Sequence, residues 1–410
     1  MKALVLAGGF PQIDLINKLK ARGIETILAD YYSNPVAKDY SDKFYSISTL
    51  DIDSIKQLAI HERVDFVITV CTDQAILTMS KVSKELGLPC YIDYQTAKNV
   101  TNKAYMKTVF SDNKIPSSKF SISSNLNELD MSGLNYPLIV KPVDCNSSKG
   151  VRRVNNTEEL LKAFNDAVFL SRTGSAIVEE YISGQELSID VYVEEGHAIV
   201  LDITTSEKLI DKNKFIIFRT WHPAIISETI KNKVQMIAQQ IANSFRITNA
   251  PMLIQALTDG SNVYVIEFSA RTGGGVKHLS IERRTGVDIV STVIDLTLGT
   301  KPHITMREPS SKYMIDEYIY CNPGIYDHVE GFEELKASGI IVDYYVFRWK
   351  GAVFDALENC GDRIGGFTIQ GDSLRELKEK HELVNKNVKI VSTTNNDIMR
   401  HDLLNNFNIQ

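Results

Sequence analysis

No stretch of this chain approaches the run of about 18 to 20 apolar residues that a membrane-crossing helix requires. The opening MKALVLAGGF is too short in its apolar part for a signal peptide and lacks the small-residue cleavage pattern. Both absences point to a cytoplasmic protein with no membrane partner. Cysteine is scarce: Cys71, Cys90, Cys145, Cys321 and Cys360 are odd in number, widely spaced and without a CxxC pair. That pattern supports neither a disulfide framework nor a structural zinc site, and the five read as buried or incidental thiols. An excess of positive charge is also missing. A net charge of -6 argues against a nucleic-acid partner, because affinity for a phosphate backbone needs concentrated Lys and Arg; a local basic pocket is still allowed. Nothing repeats at a fixed period, and there is no low-complexity tract.

What is present is the composition of an ordinary soluble protein, 43% hydrophobic and 23% charged. At 410 residues the chain exceeds the size at which a single core stops growing, so two or three domains are expected.

The first hundred residues alternate between strand-like and helix-like pieces. Lys2 to Ala7, Glu25 to Ala29, Phe66 to Val70 and Cys90 to Ile92 read as strands, and Ile13 to Arg22, Ile52 to Ile60 and Gln74 to Leu86 as helices, the pattern of a doubly wound α/β domain. The turn GGFPQ after the first strand has no third glycine and places a proline where a dinucleotide loop approaches pyrophosphate, so NAD is not the expected ligand. Thr72 and Asp73 follow a strand at the carboxyl edge, where they either cap the next helix or line a ligand cleft.

Downstream, Lys103 opens a helix, and YPLIVKP (Tyr136 to Pro142) is a buried strand carrying Lys141, a lysine that needs an anionic partner. The polar loop DCNSSKGV, Asp144 to Val151, can donate backbone N–H groups to phosphates without the P-loop spacing. Strands over Ala176 to Tyr181 and Glu186 to Val193 join Tyr136 to Pro142 in a small α+β flap. Helices follow over Ser227 to Phe245 and Val287 to Leu298, and the remainder reads as strand-rich to Ile369, then a helix over Ser373 to Val384 and a closing strand at Val388 to Val391.

The stretch PMLIQALTDGSNVYVIEFSARTGGG, Pro251 to Gly275, carries the most chemistry. Two strands, Met252 to Leu257 and Val263 to Phe268, flank a turn at Asp259 to Asn262, and alternation puts Gln255 and Glu267 on one face. An acid on a strand, Arg271 four residues on, and Gly273, Gly274 and Gly275 beyond it suit a metal ion bridging phosphate oxygens beside a guanidinium.

In this order of parts the chain resembles the ATP-grasp superfamily, in the branch of the carbamoyl phosphate synthetase large subunit and biotin carboxylase, and is similar to stand-alone L-amino acid ligases. The resemblance implies an α/β and α+β protein: an N-terminal doubly wound parallel-sheet domain over 1–100, a two-part ATP-grasp domain over 101–304 with its flap at about 114–182, and a C-terminal α+β lid over 305–410. It implies that Lys103 and Lys141 hold the nucleotide phosphates and that Ser147, Ser148, Lys149 and Gly150 form the flap loop. Glu179, Glu180, Tyr181 and Ile182 would be the adenine hinge and Glu186 the ribose acid. Gln255, Glu267 and Ser269 would be metal ligands. Arg271, with Lys141 and Gly273 to Gly275, would serve the reacting phosphoryl group. Ser269 stands where the family usually has asparagine, and the flap has one glycine where many relatives have several.

The implied cofactors are ATP and Mg2+ or Mn2+. The implied reaction activates an amino acid or small carboxylate as an acyl phosphate and couples it to an amine, forming a carbon-nitrogen bond with release of ADP and phosphate. Alternatives are phosphotransfer to a stable product and a non-catalytic ATP-binding module. Arg219 or His222 in FRTWHPA, and Lys277, His278, Arg283 and Arg284 after the glycines, are candidate substrate contacts, with a solvated helix face over Glu282, Arg283 and Arg284 as the other reading. A homodimer is the expected assembly on general grounds.

Overall fold

The computed structural model describes residues 1–145, 149–211, 214–405 and 407. Near the amino terminus β1 (Lys2–Leu6), β2 (Glu25–Asp30), β3 (Lys43–Ser46) and β4 (Phe66–Ile68) form a parallel sheet in the order β3-β2-β1-β4. Ala3, Val5, Leu4 and Leu6 are all fully buried, because helices cover both faces of a parallel sheet and its central strand needs no polar side. Cys90–Ile92 is not a strand: it runs as irregular chain into the helix Tyr94–Val100, which Asp93 caps. The acid at the end of β2 serves the backbone, since Asp30 accepts hydrogen bonds from the Gly8 and Tyr32 N–H groups.

A second, antiparallel sheet contains β5 (Phe120–Ser123), β6 (Leu138–Pro142), β7 (Arg152–Val154) and β8 (Ala176–Glu180) in the order β5-β8-β6-β7. The helix Thr157–Leu170, capped by the Asn156 side chain, lays Leu160 and Phe164 against Leu138, Val140 and Val178. This small core belongs to the flap alone.

The largest sheet is built from β9 (Gln185–Glu194), β10 (His197–Asp211), β11 (Lys214–His222), β12 (Ala250–Thr258), β13 (Val263–Ser269) and β14 (Tyr313–Ile319). The rest of the chain adds β15 (Gly324–Glu330), β16 (Asp343–Val346), β17 (Val353–Phe354), β18 (Gly365–Gly371) and β19 (Lys389–Ser392). The eight-stranded order is β13-β12-β9-β10-β11-β14-β18-β16, and β17-β15-β19 forms a separate small sheet. The segment expected over Glu186 to Val193 therefore leaves the flap and becomes a central strand. Its inward side chains Leu187, Ile189, Val191 and Val193 need the long helix Glu228–Ser244, whose Val234, Ile237 and Ile241 share their core. β14, β18 and β16 extend this same sheet. Among the described residues no helix is long and apolar enough to cross a membrane.

Candidate functional site

Strands β12 and β13 pair antiparallel with Gln255 opposite Glu267, and the register shifts immediately after, between Gln255 and Ala256. The bulge turns the strand at the rung where the two oxygen-bearing side chains meet. Lys103 begins the helix Lys103–Asp112, whose start is fixed by the Asn102 side chain accepting the Tyr105 N–H. From there its ammonium lies 3.2 Å from Glu267 Oε2 and donates to the Cys145 carbonyl at 2.9 Å. Burial alone would weaken the lysine as a base, but Glu267 and Asp73 outweigh it and hold the Lys103 pKa above its ordinary value.

Arg271 lies directly beyond β13. Its Nε donates to Asp73 Oδ1 at 2.7 Å, a second guanidinium nitrogen donates to Oδ2, and Nη1 donates to the Thr272 carbonyl at 2.8 Å. Ser269 donates its hydroxyl to the same Asp73 Oδ1 at 2.5 Å. Burial would raise the Asp73 pKa, yet Arg271 holds it below the ordinary carboxylate value. Of the two readings of Thr72 and Asp73, the structure takes the cleft-lining one for Asp73. Thr72 makes no capping side-chain bond, and the Asp73 carboxylate faces Arg271.

On β6, Lys141 is 6% exposed and pairs with Glu179 Oε1 at 2.5 Å. The other oxygen of Glu179 takes Lys107 at 2.7 Å and the Ser118 hydroxyl at 2.7 Å. Two lysines around one buried carboxylate keep Glu179 strongly acidic: burial would raise its pKa, but the paired ammonium groups lower it. Arg153 stacks 4.3 Å from the Tyr181 ring centre, and Glu186 is ion-paired with Lys208.

Lys103, Lys141, Lys149, Glu179 to Ile182, Glu186, Gln255 and Glu267 line one cavity of about 740 Å³. A second, of about 610 Å³, is lined by Asp73, Lys103, Gln255, Glu267, Ser269 and Arg271 together with apolar side chains. Lys103, Gln255 and Glu267 belong to both, so the strand pair and one lysine form the wall between them. Gly150 has φ +77° and sits against Pro142 and Leu170. Ser147 and Ser148 lie outside the described residues.

The glycine run and the candidate substrate residues are placed elsewhere, and none of them lines either cavity. Gly273 lies so close to Asp190 and Lys277 that a Cβ there would stand 3.0 Å from the carboxylate oxygen. Gly275, at φ +67°, is pressed on the Tyr318 hydroxyl. Lys277 is buried and donates to Asp190 at 2.9 Å and Thr204 at 2.6 Å. His278 is buried with both ring nitrogens lacking a partner among the described residues, and burial pushes its pKa down to about 3.

Arg219 is 0% exposed, held by Glu317 at 2.6 Å, by Glu207 and by His381 at 3.1 Å. His222 sits between Asp202 at 2.6 Å and Asp316 at 2.9 Å. Both side chains are thus enclosed by protein partners, whereas one or the other was expected from the sequence to contact substrate. Arg283 pairs with Asp343 and the Tyr345 hydroxyl, and Arg284 donates to the Ser311 carbonyl, so neither forms a free helix face. Asp73 and Lys107 were under-read from sequence. Asp73 carried a signal in its position at a strand's carboxyl edge; Lys107 carried none beyond a cation one turn from Lys103.

Residues 134–279 match the ATP-grasp domain family. This chain carries an ATP-grasp domain. The ATP-grasp chain is 25% identical over 365 residues to a formate-dependent phosphoribosylglycinamide formyltransferase of Prochlorococcus marinus, covering 83% of this chain and 87% of that protein. Among solved structures, the biotin carboxylase domain of the Hydrogenobacter thermophilus 2-oxoglutarate carboxylase, in complex with MgADP and bicarbonate, superposes with a TM-score of 0.79 at 17% identity over 98% of this chain and 92% of that one. The L-amino acid ligase from Bacillus licheniformis does so with a TM-score of 0.78 at 20% identity, over 96% and 98% of the two chains. Those two likenesses show the fold. The chain is also similar to the carbamoyl phosphate synthase large chain of Clostridium acetobutylicum, at 21% identity over 81% of this chain and 32% of that protein.

Proposed function

We propose that this ATP-grasp enzyme joins a carboxylate to an amine through an acyl phosphate. The observation that carries the reading is the wall shared by the two cavities. Lys103, Gln255 and Glu267 face both, so a nucleotide in the larger cavity would present its terminal phosphate to whatever occupies the smaller one. Among the relatives, one is by name dependent on formate, a carboxylate, and one structural neighbour is an L-amino acid ligase.

In this reading the hinge Glu179 to Ile182 holds the base by its backbone and Glu186 takes the ribose. Lys103, Lys141 and the Lys149–Gly150 loop receive the phosphates. A carboxylate and an amide oxygen at one antiparallel rung fit a hard cation, so Gln255 and Glu267 would hold Mg2+ or Mn2+, which when bound neutralises phosphate charge. Ser269 supports Arg271 through Asp73, as its hydroxyl is directed at that carboxylate. The substrate carboxylate oxygen attacks the γ-phosphorus, the bond to the β-phosphate oxygen breaks and ADP leaves. The amine nitrogen then attacks the acyl carbon, the carbon-oxygen bond to phosphate breaks, and the nitrogen gives up a proton. Arg271, Lys103 and Lys141 offset the charge that develops during transfer.

The experiment is ADP release with MgATP and a panel of carboxylic acids, using hydroxylamine as the trapping amine. Acid-dependent ADP release with matching hydroxamate is expected. ATP binding without acid-dependent turnover of any kind would count decisively against the proposal.

A further inference from the structure

The smaller cavity carries information about the acid itself. We infer that it receives the carboxylate substrate, and that this substrate is an acid with an apolar body, an aliphatic or aromatic chain, in place of a one-carbon or multiply charged acid. The inference rests on the ligase reading and narrows it.

Three observations support it. The cavity meets the nucleotide cavity at Lys103, Gln255 and Glu267 and contains Arg271, so a carboxylate at that end would lie against the transferring phosphoryl group. Away from that end apolar side chains alternate with polar ones such as Gln74, Lys98 and Arg172; the apolar ones include Ile52 and Leu77 from the amino-terminal helices, Val100 from the helix Tyr94–Val100, Ile122 from the flap, and Leu253 and Phe268 from β12 and β13.

Several polar groups in the same wall have partners of their own. Asp73 is held by Arg271 and Ser269, and Arg172 donates to the Asp144 carbonyl at 2.7 Å while Asp144 accepts the Arg172 and Thr173 N–H groups. The Thr78 hydroxyl donates to the Thr49 carbonyl at 2.6 Å and the Thr101 hydroxyl to the Ala97 carbonyl at 2.9 Å. Among the described residues, Lys98 apart, the cations of this wall already have partners, so a second charge on the acid placed away from Lys98 would be desolvated without compensation. At about 610 Å³ the cavity is also in the range of drug-sized ligands, far more than formate fills. These observations place the acid beside β12, β13 and the amino-terminal helices, away from Gly273 to Gly275.

The test uses the full-length enzyme with MgATP, hydroxylamine and a graded series: formate, acetate, butyrate, hexanoate and phenylacetate against succinate, then leucine and phenylalanine against aspartate and serine. Hydroxamate and ADP are both measured. Apolar burial predicts kcat/KM rising about fourfold per added methylene until the cavity is full, with the charged and polar members far below. Leu77→Trp, at a half-buried position, is expected to raise KM for the best acid about tenfold or more, well beyond any change in KM for ATP. Leu77→Ala should shift the optimum to longer chains, and it decides the matter if the tryptophan variant does not fold. Hydroxamate formed best with formate, succinate or aspartate, or a flat series with Leu77→Ala unchanged, overturns this inference and leaves the ligase reading standing. Absence of hydroxamate with every acid, in an enzyme that binds ATP, removes both.

Discussion

Arg271 and Asp73 stand 198 residues apart in the chain and face each other in a two-point ion pair, with Nε to Oδ1 at 2.7 Å. The guanidinium after β13 is thereby aimed by the first residue of the helix Asp73–Leu86, which belongs to the amino-terminal α/β unit. Because Ser269 donates to the same carboxylate, one acid sets two side chains of the candidate transfer site.

Arg271→Ala is expected to lower kcat by roughly 100-fold, the scale of losing one preorganised charge donor at a transferring group. Asp73→Asn should cost about 2 kcal/mol of stability, between the limits for exposed and fully buried pairs, and lower kcat while leaving KM for ATP nearly unchanged. Steady-state kinetics with ATP as the varied substrate separates the two. Wild-type kcat in Asp73→Asn would show that the pair is only structural.

Removing divalent metal with EDTA should abolish turnover, and added Mg2+ should restore it. Glu267→Gln is expected to raise the Mg2+ concentration for half-maximal turnover by about tenfold or more, since an amide is a weaker partner for a hard cation than a carboxylate. A Mg2+ titration that superposes on the wild-type curve would exclude Glu267 as a ligand.

Glu179→Gln leaves Lys107 and Lys141 facing an uncharged amide in a buried setting. Breaking such a group from one side typically costs about 3 to 5 kcal/mol, so denaturant midpoints should fall clearly. Lys107→Met in the same background removes the stranded charge and should recover part of the loss. A double variant less stable than the single one would contradict this account.

Two buried histidines give stability opposite dependences on pH. Burial would lower the His222 pKa, but Asp202 and Asp316 outweigh it and raise it above its ordinary 6.5. Its contribution is therefore complete below about pH 6.5 and is lost as pH rises through the raised value. His278 is pushed down to about 3, so the unfolded chain binds its proton first and stability falls as pH drops from about 6.5 toward 3. Each slope approaches about 1.4 kcal/mol per pH unit within its window. Thermal unfolding across pH 4 to 9 should show His222→Gln flattening the alkaline limb and His278→Phe the acid limb. Swapped effects would show that the two environments are misassigned.

Some of this was legible in the residues and some was not. The β12–β13 pair could be read because apolar alternation and a DGSN turn define strands and register locally, which brings Gln255 opposite Glu267. The helix that Lys103 begins could be read because Thr101 and Asn102 are helix start signals, and Asn102 is the one that caps it. Cys90–Ile92 misled, since three apolar residues after a helix match a buried strand as well as they match packed irregular chain. Arg219 and His222 misled in another way. A charged residue in a strand signals a partner but does not say which; Glu207 and Asp202 come from the neighbouring strand β10, and Glu317 and Asp316 from β14, 98 and 94 residues on.

The sequence by itself determined the β12–β13 pair, most of the other strands and the helix caps, because these follow from periodicity and spacing within a dozen residues, while the candidate metal and phosphate roles came from the family resemblance. Tertiary structure alone decided that Asp73 orients Arg271, that Glu179 is shared by Lys107 and Lys141, and that a second cavity opens on the far side of Glu267. Such pairings depend on which elements the sheets bring together, and local propensity carries no record of a partner some two hundred residues away.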